Sequence, residues 1–138
     1  MGVSYKGGAP SYHSVSDNIS ALQKSFKFTN GYFGDQGTSN RVRVIYGDNP
    51  ASIGKEFYDK IAFGGIEKDL SNWKVKITYM ADGSIITFRP TTKSDNYPGV
   101  NINISKSTDS GGIKQQKIHF GKEEDKWWNN MISDLIQH

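Results

Sequence analysis

Four runs of alternating apolar and polar residues lie between residues 73 and 120, and they restrict what this chain can fold into more than any other feature. Trp73, Val75, Ile77 and Tyr79 alternate with Lys74, Lys76 and Thr78, and Ile86 and Phe88 oppose Ile85, Thr87 and Arg89. Val100, Ile102 and Ile104 then alternate with Asn101, Asn103 and Ser105, and Ile118 and Phe120 with Lys117 and His119. Successive side chains of a strand point to opposite faces, so a period of two marks a strand with one buried face. Asp82-Gly83, between the first two runs, suits the positive backbone angles of a tight hairpin. Polar loops at 90–99 and 106–112 separate the remaining runs. The expected class is α+β: N-terminal helices, a four-stranded antiparallel β-meander over about 73–120, and a C-terminal helix.

The flanking segments carry helix signals. Ser16 or Asp17 suits an N-cap, followed by Ile19, Leu22 and Phe26 as an apolar stripe. Residues 29–40 are rich in Gly, Asn and Ser and read as a loop. Val42, Val44 and Tyr46 alternate with Arg41 and Arg43 as a further strand. Asn49-Pro50 then opens a second helix whose Ile53, Phe57 and Ile61 share one face, and Gly64-Gly65 ends it. Gly54 inside that helix costs about 1 kcal/mol relative to Ala, which leaves its start open. From about Lys122 a last helix begins, acidic in its first turn as the helix dipole favours, with Trp128, Met131, Ile132 and Leu135 as its packing stripe. Trp127 and Trp128 are read as packing residues rather than as a stacking platform. Residues 1–15 show no periodicity and read as a loose lead-in. No repeat or linker divides residues 1–138, so a single domain is expected.

Composition excludes several classes. The 138 residues suffice to bury about two-thirds of the unfolded surface. No apolar run approaches the ~20 residues needed to cross a bilayer, and residues 1–10 lack the apolar stretch of a secretory signal. Cys is absent, which rules out disulfides and thiolate metal sites. His13, His119 and His138 are far apart, and no paired acidic or His-x-x-x-His spacing occurs, so no metal or other cofactor is expected. Gly47-Asp48-Asn49 lacks the repeated acidic positions of a calcium loop, and neither a phosphate loop nor a Gly-x-Ser-x-Gly nucleophile turn is present. The net charge of +3 permits a polyanionic partner without demanding one.

The outward residues of the four runs are Lys74, Lys76, Thr78, Thr87, Arg89, Asn101, Asn103, Ser105, Lys117 and His119. None is a carboxylate. Lys and Thr are ordinary on the solvated face of an antiparallel sheet. Two features go further: Asn is depleted in strands yet occurs twice in one of them, and unpaired cations are costly to bury, so such a face stays open or meets a partner. An imidazole exchanges protons near neutral pH, which makes His119 the first candidate for acid–base work. With Arg89 and Lys117 beside it, these are the parts for metal-free RNA cleavage, in which cations stabilise the charge growing on phosphate. The second proton-transfer group is left open between Asp95, a hydroxyl of residues 91–94 and His13.

Thr87-Phe88-Arg89-Pro90, Lys93-Ser94-Asp95, Pro98 with Val100, Ile102 and Ile104, and the run from Lys114 to Phe120 together resemble the C-terminal toxin domains of bacterial polymorphic, contact-dependent toxins. Helices followed by an antiparallel meander also resemble the barnase, EndoU and colicin-type ribonuclease group. The resemblance covers about residues 73–120. It implies a metal-independent endoribonuclease, tRNA as the expected target, an acidic cognate immunity protein and a possible host activating factor. It also implies delivery from the cell surface or by secretion as part of a larger protein, with action in the cytoplasm of the target cell. Arg89 and His119 match the order of a catalytic Arg and late His in barnase-like enzymes, whereas the glutamate base typical of barnase has no counterpart here. The catalytic set is then His119, Arg89, Lys117, Thr87, Ser94 and Asp95, with Lys74, Lys76, Lys93, Asn101 and Asn103 binding RNA. The alternative is a non-catalytic module that binds nucleic acid or protein with the same face. An immunity or adaptor role fits less well, because partners of basic nucleases tend to be acidic.

Overall fold

The computed structural model describes residues 3–70, 74–91 and 97–126. The expectations for Trp73, for Lys93, Ser94 and Asp95, for His138, and for the stripe from Trp127 to Leu135 lie outside the described residues. The α+β class stands, but the sheet differs from the expected four-stranded meander. Strands β1 (Phe28–Thr29) and β2 (Tyr32–Phe33) form a small hairpin, and seven further strands form one mixed sheet. These are β3 (Asp35–Ser39), β4 (Val42–Gly47), β5 (Ile66–Leu70), β6 (Val75–Tyr79), β7 (Ile85–Arg89), β8 (Gly99–Asn103) and β9 (Gln116–Lys122), in the spatial order β3-β4-β9-β8-β7-β6-β5. Every pairing is antiparallel except β4 with β9, which run parallel from Val42↔Lys117 to Gly47↔Lys122. Residues 29–40, expected as a loop, instead carry most of the β1–β2 hairpin and all of β3, and β5 was also missed; β3 and β5 are the two edges of the sheet. Asp-Gln-Gly-Thr-Ser and Ile-Glu-Lys-Asp-Leu carry too few apolar residues to show a period, and polar edge strands of this kind resist pairing with another chain.

Two helices, α1 (Ile19–Gln23) and α2 (Pro50–Ile61), accompany the sheet, and residues 123–126 begin a further helical turn. Asn49 caps α2 by accepting from the Ser52 amide at 3.1 Å, and Pro50 occupies the first turn, where no amide proton is needed. Phe57, Tyr58 and Ile61 of α2 are buried against Ile86, Val100, Ile102, Ile118 and Phe120 of the sheet. Phe57 makes edge-on contacts with Phe26 and Phe33, so the rings bind the small hairpin and α1 into the same core. Gly54 has its reason here. A Cβ at that position would lie 2.7 Å from Pro98 Cγ and 3.3 Å from Phe120 Cδ2, so glycine sets how closely α2 approaches the sheet.

The register assigns the faces, because cross-strand partners share one. Thr78, Ile86, Ile102 and Gln116 form one row facing the core, and Lys76, Phe88, Val100, Ile118 and Arg43 form the next. Strand β6 is therefore reversed from its expected orientation. Lys76 and Thr78 do not join the outer face, whereas Ile77 and Tyr79 do, and Tyr79 is 38% exposed. The cause is polar satisfaction. The Tyr58 hydroxyl, deep against the sheet, donates to Glu67 Oε2 at 2.7 Å and lies 2.6 Å from the Thr78 hydroxyl, which is fully buried. Lys76 in turn reaches Asp69 at 2.9 Å. Apolar residues at those two positions would leave the phenol without its hydroxyl partner.

Residues 3–15, expected as a loose lead-in, carry their own contacts. Lys6 exchanges backbone hydrogen bonds with Gly64 and Gly65, His13 with Gly64 and Ala81, and Val15 is buried. His13 is far from the outer face in its contacts. Asn18 spends its amide protons on the Ile61 and Phe63 carbonyls, so its oxygen accepts from His13 Nδ1 at 3.0 Å. Lys6 Nζ sits between Glu67 (2.9 Å) and Asp59 (3.1 Å), 4.5 Å above the Tyr58 ring. Burial opposes ionisation of both carboxyls, but hydrogen bonds from Tyr58 and Lys6 to Glu67, and from Lys55 and Lys6 to Asp59, outweigh it and hold both below the usual range.

Buried polar groups fasten the hairpin to the sheet. Gln116 accepts from the Phe33 amide at 2.8 Å and donates to the Gly31 and Lys114 carbonyls at 2.9 and 2.6 Å. Arg43 donates to the Phe33, Gly34 and Asn40 carbonyls. Gln116→Leu should cost on the order of 2–3 kcal/mol in urea unfolding, because it strands the buried Phe33 amide and removes one of the two donors to the Gly31 carbonyl; a loss below about 1 kcal/mol would show that the fastening is unimportant. The Lys6 clamp predicts a pH effect. Carboxyls held low in the folded state bind fewer protons than in the unfolded chain, so their contribution is complete above ordinary carboxyl values of about 4 and lost as pH falls through the folded ones. The wild type should therefore lose stability more steeply than Lys6→Met on acidification, and parallel curves would refute the clamp.

Candidate functional site

The face of the sheet away from α2 holds the candidate site. Its central row is Arg89, Gly99, His119 and Val44, partners across β7, β8, β9 and β4. The neighbouring row is Thr87, Asn101, Lys117 and Val42, and Asn103 lies opposite Ile85 one step further. The structure thus places Thr87, Arg89, Asn101, Asn103, Lys117 and His119 on one face. Arg89, Asn103 and Lys117 are exposed, and Thr87, Asn101 and His119 are half-buried. Adjacent strands lie about 4.8 Å apart, so the Arg89 and His119 backbones are separated by roughly 10 Å. The residue between them is Gly99. Gly99 brings no side chain to the row, and it is itself buried.

Beside His119 the face deepens into an open groove of about 420 Å³. Val42, Val44 and Tyr46 of β4 and His119 and Gly121 of β9 contribute to it, with Tyr97, Thr38 and Asp125. Asp125 belongs to the helical turn after β9, and its neighbour Lys126 fixes that turn by reaching Asp35 at 3.9 Å and the Tyr46 ring at 5.9 Å. The pool of outward strand residues contains no carboxylate, but the groove does. Asp125, Tyr46 and Tyr97 are the residues sequence reasoning missed. Tyr46 was legible as part of a strand, yet nothing local announces that this strand runs parallel beside His119.

Other expected residues lie elsewhere. Lys76 is on the core face in its ion pair with Asp69, so it is removed from the RNA-binding set, and Thr78 leaves the outer face with it. Lys74 is exposed just before β6, in the left-handed region at φ 56°. Among the described residues no group of three or more His, Asp or Glu is placed to hold a metal, and no helix is long and apolar enough to cross a membrane.

The face is not purely polar. Val42, Val44, Ile77 and Ile85 are half-exposed on it, and Leu70 at its edge is 47% exposed. Chemically, the arrangement offers an imidazole and a carboxylate on one groove, two tyrosine rings that can flank a planar group, and cations on the rim that can hold an anion. No protein-family model, curated protein or solved structure matches the chain.

Proposed function

We propose that this chain is a metal-independent endoribonuclease of the toxin type, related in fold to the barnase, EndoU and colicin-type group. The observation that carries the reading is the groove that His119 and Asp125 line together, with Arg89 in the same cross-strand row as His119. A phosphodiester held in that groove meets the imidazole of His119, with the Arg89 guanidinium two strands away in the same row. Asp125 takes the place left open for a second proton-transfer group. Its carboxylate accepts the proton of the 2′-hydroxyl as that oxygen attacks phosphorus, and His119, protonated, donates to the departing 5′-oxygen. The products are a 2′,3′-cyclic phosphate and a free 5′-hydroxyl. Arg89 and Lys117 stabilise the charge gathering on the phosphate oxygens, the step for which preorganised cations matter most. Thr87 and Asn101 line the approach, and Tyr46 and Tyr97 flank a base.

The residue pattern from Thr87 to Phe120 supports tRNA as the target, delivery within a larger secreted or surface protein, and neutralisation by an acidic immunity protein. A second reading is favoured by the apolar patches of the same face: the face holds a protein partner without turnover. Incubation with total RNA in EDTA separates the two. The wild type should cleave, and His119→Ala and Asp125→Asn should each lower the rate by about 10²–10⁴, the usual worth of a positioned acid or base. Intact RNA, or unchanged cleavage by the His119 variant, overturns the nuclease reading.

A further inference from the structure

A second set of cations lies further along the same face and continues past its end. One groove, of about 240 Å³, is lined by Arg41, Asn101, Asn103, Gln115 and Lys117. A second, of about 300 Å³, is lined by Tyr32, Arg41, Ile104, Ser105, Lys114 and Gln115. Arg41 and Gln115 belong to both, so the grooves are continuous. Neither lining contains a carboxylate. Elsewhere Lys6, Lys27, Lys55, Lys60, Lys76, Lys122 and Lys126 each have an acidic partner within 4 Å. Among the described residues Arg41, Lys114 and Lys117 have none.

Tyr32 supplies the aromatic part. The Arg43 guanidinium, itself fixed by three carbonyls, lies 4.9 Å from its ring, and Lys114 Nζ lies 5.5 Å from it. The ring is therefore held in place before any ligand arrives, while the exposed Lys114 is free to swing toward an anion. Along β9 the open-face positions Lys117 and His119 stand two residues apart, a repeat of about 6.6 Å. That repeat is comparable with the spacing of successive phosphates in an extended single strand.

We infer that the continuous groove from Lys117 through Arg41 to Tyr32 and Lys114 is a second subsite, which holds the single-stranded continuation of an RNA positioned at His119. This rests on the nuclease reading. An unpaired strand is specified because a base stacks on an aromatic ring only when it is free of its partner, and the cations track its backbone. The subsite makes affinity depend on strand length beyond the nucleotides that react.

The experiment uses fluorescently labelled 2′-O-methyl oligonucleotides, which lack the attacking hydroxyl, with binding read by anisotropy on the whole chain. An eight-nucleotide single strand should bind at least tenfold more tightly than a dinucleotide or an eight-base-pair duplex. Arg41→Ala and Lys114→Ala should each weaken the eight-nucleotide ligand about fivefold and lower the log–log salt slope by about 0.7, as expected for one phosphate contact on a single strand. Tyr32→Leu should weaken it about tenfold without altering that slope. Unchanged binding by the Arg41 and Lys114 variants overturns the subsite, as does equal affinity for the duplex. Cleavage of total RNA is scored in parallel. Length-dependent binding that needs Arg41 and Lys114, without cleavage, supports the subsite and refutes the nuclease reading. Cleavage with binding indifferent to those residues does the reverse.

Discussion

The parallel ladder between β4 and β9 is the constraint on which the rest of this structure depends. It joins residues 75 positions apart in register and makes β9, the last described strand, an interior strand of the sheet. Without it β9 would be an edge, and Ile118 and Phe120 would lack the neighbours Arg43 and Ile45 on the core side. The open side depends on it equally, because β4 brings Val44 and Tyr46 next to His119 and Gly121. Parallel pairing requires a long crossover, and this one contains α2 and the whole antiparallel run from β5 to β8. The connection that closes the sheet is also the one that builds the core.

Much of this was legible in the residues, and the misses have physical causes. Strands β7, β8 and β9 were readable with their faces, since Ile86, Val100, Ile102 and Ile118 are all in the core and Thr87, Asn101 and Lys117 all outside. Strand β6 inverted the rule. Its alternation pointed Val75, Ile77 and Tyr79 inward, and the outcome was set instead by Tyr58, whose hydroxyl meets Thr78 and Glu67. A buried phenol twenty residues away leaves no local trace. The edge strands had no apolar period to detect. Asn49-Pro50 marked the start of α2 correctly, while the interior Gly54 made sense only once Pro98 and Phe120 were seen pressed against it.

The candidate site shows the same division. Arg89 and His119 were placed on one face by counting, and the glycine that separates them is visible only in the register. Asp125 was read as part of an acidic first turn serving the helix dipole, which remains a fair description of Glu123 and Glu124. Its presence on the His119 groove comes from the way the chain turns away from β9. Short sequence spacing does not reveal this, because the three residues from Glu123 to Asp125 that leave the strand can run in any direction.

The close approach at Gly54 reaches beyond packing. Pro98, which that glycine admits, also accepts a backbone hydrogen bond from Phe120 at 3.2 Å, and the two residues immediately precede Gly99 and follow His119. The spacing of the strands that carry Gly99 and His119 is thus gauged from behind the sheet by the helix. A larger residue at position 54 would act as a wedge, spreading β8 and β9 from the helix side of the sheet. The geometry of the far face can therefore change at a helix position with no view of it.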